Sequence, residues 1–200
     1  MSGPIKWRTS KPDFSELDRL FMNEKTRNHK EDSLEITVEN LVKTWEMEAS
    51  HKVLVKDWKS VDTQKFCLRT NKGKKFSVEN LIKLGSYNCL MQGQPLYDAN
   101  THTFQSSHEN FRGAFRDGFS WEVLDVYSGP PVVAFTWRHW AKWNGSYKGN
   151  PPSGKTLEMF GAAVVRVNQK MQIEDLDVYY DPNQILVPLN NLKGSCNTSS

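Results

Sequence analysis

Asp175 and Asp177 sit two residues apart, and His139 stands alone, each in a stretch that otherwise reads as apolar β-strand. Alternation along a strand puts both aspartates on one face. A carboxylate on a face with apolar neighbours either pairs with a cation or has its pKa raised into a range useful for acid–base work. His139, within Trp137-Arg138-His139-Trp140, is a natural partner, because imidazole moves protons near neutral pH. His51 is a further candidate, closing a helical stretch that carries Trp45, Glu46 and Glu48. Each has a plainer reading: a solvated acidic pair, a packed core histidine, and a histidine complementing the negative end of a helix.

Other chemistries lack their usual residues. The histidines at 29, 51, 102, 108 and 139 have neither HxH nor HExxH spacing, so no metal site is expected. No GxGxxG, GxxxxGK[ST] or GxSxG occurs, so dinucleotide, nucleotide and serine-hydrolase functions lose their support. Acid–base work without a cofactor remains, or binding alone.

The elements that must position these residues follow from periodicity. Ser33 reads as an N-cap, and Val38, Leu41, Val42 and Trp45 share one helical face, predicting an amphipathic helix over 34–50. A short strand is expected at 65–69 and a second helix after Ser77, without a Glu or Gln to complete a capping box. A short helix is predicted at 13–24, within an extended arm over 1–32, and 92–108 reads as loop. Strands follow at 119–127, 132–143, 156–167 and 172–180, joined by short turns. Helices first and an antiparallel meander after is the α+β pattern. One domain is expected over 33–189, with a frayed tail over 190–200.

Alternation gives the long strand a wall of Val133, Phe135, Trp137, His139, Ala141 and Trp143. A tight hairpin between the last two strands would set Met159, Gly161, Ala163 and Val165 against Tyr179, Asp177, Asp175 and Ile173. A one-residue slip would reverse every face. On this register an aromatic-lined pocket for a small apolar organic ligand is built from Trp45, Trp121, Phe135, Trp137, Met159 and Tyr179.

The totals agree with one folded domain: 200 residues, 38% hydrophobic and 24% charged. A net charge of +3 gives no strong footprint for nucleic acid or an anionic membrane. No signal peptide or membrane-spanning run is read, and Cys67, Cys89 and Cys196 form no CxxC, so a reducing cytoplasm is expected.

The stretch from Gly145 to Glu158 contains Gly145-Ser-Tyr-Lys-Gly-Asn-Pro-Pro-Ser-Gly-Lys, and the closing strand reads Ile173-Glu-Asp-Leu-Asp-Val-Tyr-Tyr-Asp181. This resembles the SnoaL-like polyketide cyclase group, within it most nearly the plant-type pathogen-related proteins. Lys43-Thr-Trp-Glu-Met-Glu48, Gly85-Ser-Tyr-Asn88, the segment 118–128 and Arg138-His-Trp140 extend the likeness over about residues 40–187. It implies a nuclear transport factor 2-like cone, a bent sheet wrapped on helices, with homodimers packed through the sheet. It also implies aldol-type ring closure with no metal or organic cofactor, by an Asp on the last strand. That Asp maps best to Asp177, less well to Asp175 or Asp181. The cyclases set a His on the penultimate strand against it, and residues 156–167 have none. The expectation is therefore a cofactor-free lyase or isomerase using Asp177, with His139 or His51 as partner, on a polyketide, phenolic or terpenoid metabolite. The rivals are a binding or stress-related protein with the same pocket, and a dimeric scaffold with a filled core.

Overall fold

The computed structural model describes residues 4–190. Its helices are α1 (Ser15–Glu24), α2 (Leu34–His51), α3 (Val78–Leu84), α4 (Ser86–Leu90), α5 (Phe104–Ala114) and α6 (Asn183–Asn190). Its strands are β1 (Cys67–Thr70), β2 (Ser120–Ser128), β3 (Val132–Lys142), β4 (Thr156–Val167) and β5 (Ile173–Tyr180). They form one sheet in the order β1-β5-β4-β3-β2, antiparallel except for β1, which runs parallel to β5 at the far edge. Bulges in β2 after Val123 and after Val126 bend that edge of the sheet. The result is the expected α+β cone, one sheet curved over helices.

Alternation decides what each face of β3 does. Val133, Phe135, Trp137, Ala141 and Trp143 are buried toward the helices, while Lys142 is exposed on the other side. Fully burying each large apolar side chain contributes about 1.5–3 kcal/mol. The packing helix α2 starts where Ser33 accepts a hydrogen bond from the Ile36 N–H at 3.2 Å. Its apolar stripe of Val38, Val42, Trp45 and Ala49 is buried.

A buried ion pair ties α2 to the loop after it. Lys52 Nζ lies 2.8 Å from Glu48 Oε1 and donates to the Asp57 carbonyl at 2.7 Å. Glu48 also accepts from the backbone N–H groups of Lys59 and Ser60 and from the Ser60 hydroxyl. Both charges are thus hydrogen-bonded on several sides, as burial requires.

From residue 4 onward the N-terminal arm neither covers the cavity described below nor hangs free. Trp7 bridges to Lys52, and the Arg8 N–H donates to the His51 carbonyl at 2.9 Å. Further along, Phe21 stacks on Trp140 of the outer sheet face, whose indole N–H donates to Glu24 Oε2 at 2.6 Å. Buried Glu122 accepts from Thr26 N–H, Thr26 hydroxyl and Arg27 N–H, and pairs with Arg138.

Three features depart from expectation. Helix α5 occupies part of the stretch read as loop, because its buried face uses Ser107 and His108 with Phe111 and Ala114, which weakens the apolar period. Helix α3 has a full capping box, since the Asn80 side chain takes the role reserved for Glu or Gln and accepts from the Ser77 N–H at 3.0 Å. Helix α6 packs Ile185, Leu186 and Leu189 into the core despite Pro188. Most of the tail expected over 190–200, and Cys196, lie outside the described residues. Cys67 and Cys89 are unpaired. Among the described residues no helix is long and apolar enough to cross a membrane.

Candidate functional site

The inner face of the sheet does not close fully on the helices. A cavity of about 90 Å³ remains, several times the roughly 10–15 Å³ that one water needs. Val42 and Trp45 of α2 form one wall; Trp121, Phe135, Trp137 and Met159 of the sheet form the opposite one. Leu176, Val178 and Tyr180 of β5 and Ile185 of α6 close the far side. Tyr87, Leu90 and Met91, from and just after α4, complete the lining with Phe119 and Ala163. Five of the six expected wall residues are present, and the sixth is replaced by its neighbour: Tyr180 lines the cavity, not Tyr179.

An imidazole and a carboxyl, those of His139 and Glu46, face this largely apolar space. His139 lies one alternation beyond Trp137 on β3, opposite Trp121 on one side and Met159 on the other. Its ring packs against Phe119 at 4.9 Å, and burial alone pulls its pKa down to about 4. It is therefore neutral at pH 7, with one nitrogen to donate and one to accept. Glu46 lies one turn after Val42 on α2, and burial pushes its carboxyl up to about 7, only partly offset by the charge of Lys43. Each is only half-buried, yet both line the cavity, whose apolar walls solvate a charge poorly.

Two phenols share the lining. The Tyr180 hydroxyl donates to the Leu90 carbonyl at 3.3 Å, and burial, with the Asp181 charge, moves its pKa upward. Burial pushes Tyr87 up to about 12, with Arg112 and Glu46 acting on it in opposite senses.

The expected carboxylates are elsewhere. β4 and β5 pair three residues away from the tight-hairpin register: Gly161 faces Tyr180, Ala163 faces Val178 and Val165 faces Leu176. The turn explains the shift. Asn168 Oδ1 accepts from Lys170 and Gln172 N–H, Met171 takes a φ of 58°, and a bulge follows between Arg166 and Val167. An odd shift exchanges the faces of β5, so Asp175 and Asp177 lie on the outer side of the sheet. There Asp177 pairs with Arg69 and Lys72, and Asp175 lies 3.5 Å from Arg69. His51, the last residue of α2, does not line the cavity either; its Nε2 accepts from Arg112 Nη2 at 3.1 Å.

Gly161 has a steric role on the inner face. A Cβ there would fall 2.3 Å from Trp137 Cζ2, so the indole lies where a side chain at 161 would stand. Among the described residues no three His, Cys, Asp or Glu side chains converge to hold a metal ion.

No family model matches the chain. A pathogen-related protein from Hordeum vulgare is 36% identical over 188 residues, spanning 90% of this chain and 80% of the relative. The chain belongs to the pathogen-related protein family. Solved structures with a similar fold include one from Acidithiobacillus ferrooxidans assigned as a polyketide cyclase, at TM-score 0.47 and 14% identity over 80% of this chain and 97% of the other. Another, from Jannaschia sp. CCS1, is assigned as a SnoaL-like polyketide cyclase, at TM-score 0.43 and 14% identity over 77% and 92%. Nothing about chemistry follows from likenesses at that distance.

In this pathogen-related family member the cavity therefore holds a carboxyl from a helix and an imidazole from the sheet. The residue that sequence reasoning passed over is Glu46. The signal was available: 42, 46 and 49 are spaced by four and three, so Glu46 shares the stripe of Val42 and Ala49.

Proposed function

We propose that the chain takes a small, largely apolar, oxygenated molecule into this cavity and moves a proton on it with Glu46 and His139. The single observation that carries this reading is the pair itself. Each faces a largely apolar space, and among the described residues neither side chain makes a hydrogen bond to the protein. A carboxyl poised near pH 7 is close to the optimum for a general base. In its ionised form Glu46 would take a proton from a carbon next to a carbonyl, and the released electron pair would move onto the carbonyl oxygen. The N–H of neutral His139 would hold that oxygen, and protonated Glu46 would return the proton at another atom. The net change is an isomerisation; loss of water or ring closure from the same enolate gives the dehydratase and cyclase variants. Polyketide, phenolic and terpenoid metabolites have the required mixture of apolar body and oxygens.

Non-catalytic binding is the second reading. The family name accords with it, and so does the absence from the cavity of the last-strand carboxylates. The proposal extends to location and assembly. Unpaired Cys67 and Cys89 are in keeping with the cytosol, and the exposed Tyr127, Phe160 and Val164 of the sheet fit a homodimer packed through that face.

Chromatographic separation of what the denatured chain releases, with mass detection of each peak, tests the choice, because isomers share a mass. A substrate and product pair, with only the substrate released from Glu46→Gln, supports catalysis. A single unchanged metabolite from both proteins supports binding and removes the proton-transfer reading.

A further inference from the structure

A ring of basic groups closes at the C-terminal end of α2, outside the cavity. Arg8 from the arm lies with its guanidinium 3.5 Å above the Phe104 ring, and Phe104 stacks on His108 at 3.9 Å. One turn along α5 from His108, Arg112 donates to Nε2 of His51, whose carbonyl receives the Arg8 N–H. Four basic side chains from the arm, α2 and α5 thus adjoin one another.

Among the described residues no carboxylate pairs with them. Neither Arg8 nor Arg112 forms an ion pair among the described residues. Arg8 spends Nη2 on the Ile82 carbonyl at 2.6 Å, which caps the end of α3. Its Nε is a buried donor without an acceptor, whereas neutral His108 donates its one N–H to the Phe104 carbonyl at 2.9 Å and takes no part in the site. Buried polar atoms without partners are rare in folded proteins, and an ion or water that completes them is a usual explanation. The Arg112–His51 bond fixes the tautomer: Nε2 accepts, so Nδ1 of neutral His51 carries the proton and remains a donor. Burial and the charges of Arg112 and Arg8 pull His51 down to about 4, so the guanidiniums repel a further proton here.

We propose that a small oxyanion, a carboxylate or phosphate group, binds between Arg8 and Arg112 beside His51. Both guanidiniums retain free donors in a planar fork, the arrangement that matches such groups in bidentate fashion. Arg112 is exposed and provides the way in, while the half-buried Arg8, held flat on Phe104, provides the floor. The inference is independent of proton transfer in the cavity.

The test is a titration of the full chain with inorganic phosphate and, separately, acetate, against sodium chloride at equal ionic strength. The readouts are the His51 ring resonances and the melting temperature. Phosphate or acetate should shift the His51 titration to higher pH in a saturable way and raise the melting temperature. Arg112→Gln should weaken this response by about tenfold or more, with Arg112→Lys intermediate. Which oxyanion acts more strongly tells phosphate from carboxylate. An equal effect of chloride, no effect, or an unchanged response in Arg112→Gln overturns the site.

Discussion

Arg69 holds Asp177 across the parallel pair at the sheet edge, with its Nη2 2.9 Å from Oδ2 and its Nε bonded to Oδ1. Lys72 Nζ adds a contact at 3.1 Å. Burial alone would raise this carboxyl, but the bonds and charges of Arg69 and Lys72 outweigh it and hold the group below the usual range. Asp177→Asn should therefore leave cavity binding and turnover unchanged and lower stability by about 1–3 kcal/mol at pH 7. The deficit should shrink as pH falls through the depressed pKa, where the wild-type carboxylate loses its own contribution. Denaturation midpoints across pH check this; lost turnover at unchanged stability would return Asp177 to the chemistry.

Glu46→Gln should reduce turnover by about 10²–10⁴-fold. It should also be more stable than the parent in alkali. The Glu46 pKa is raised by folding, so its contribution is full below the ordinary 4.5 and is lost as pH rises through about 7. Glutamine cannot ionise and escapes that loss. Melting temperatures of the two proteins should diverge as pH rises from about 4.5 to about 7 and stay apart above it; no divergence across that window would mean that Glu46 is not desolvated.

The reaction itself should follow the same group. With Glu46 as base, kcat/KM should rise through about pH 7 and level off above it. His139 is already neutral above about 4 and should add no second limb in that range. Once a substrate is in hand, a pH profile that falls through 7 would make Glu46 the acid instead.

Gly161→Ala places a methyl against Trp137 and, at 2.6 Å, the Tyr179 carbonyl. The indole must move, and over-packing of this kind costs about 1–3 kcal/mol. Altered tryptophan emission and weaker ligand retention are expected together; normal values for both would mean that the floor of the cavity yields freely.

Phe160 and Val164 lie on the outer face, 48% and 38% exposed. Phe160→Glu should convert a dimer to monomers in sedimentation with the fold intact. A wild-type monomer would remove this surface as an interface.

Much of the architecture was legible because burial on one side leaves a period. Helix α2 and the last four strands fall within about two residues of the ranges expected from their apolar spacing. The inner face of β3, His139 included, was fixed by alternation alone. The β4–β5 register was not, because it depends on Asn168 bonding across a turn in which Met171 is left-handed. That one turn moved Asp175 and Asp177 from the inside to the outside. Glu46 was missed for a different reason: a charged residue on an apolar helical stripe reads as an interruption until a cavity is seen beneath it.

Titration of the Glu46 carboxyl by carbon NMR in the ligand-free chain, assigned with Glu46→Gln, needs no substrate. A midpoint near pH 7 is expected for a group facing an apolar cavity with His139. A midpoint near the ordinary 4.5 would show Glu46 open to water, and the proposed proton transfer would fail with it.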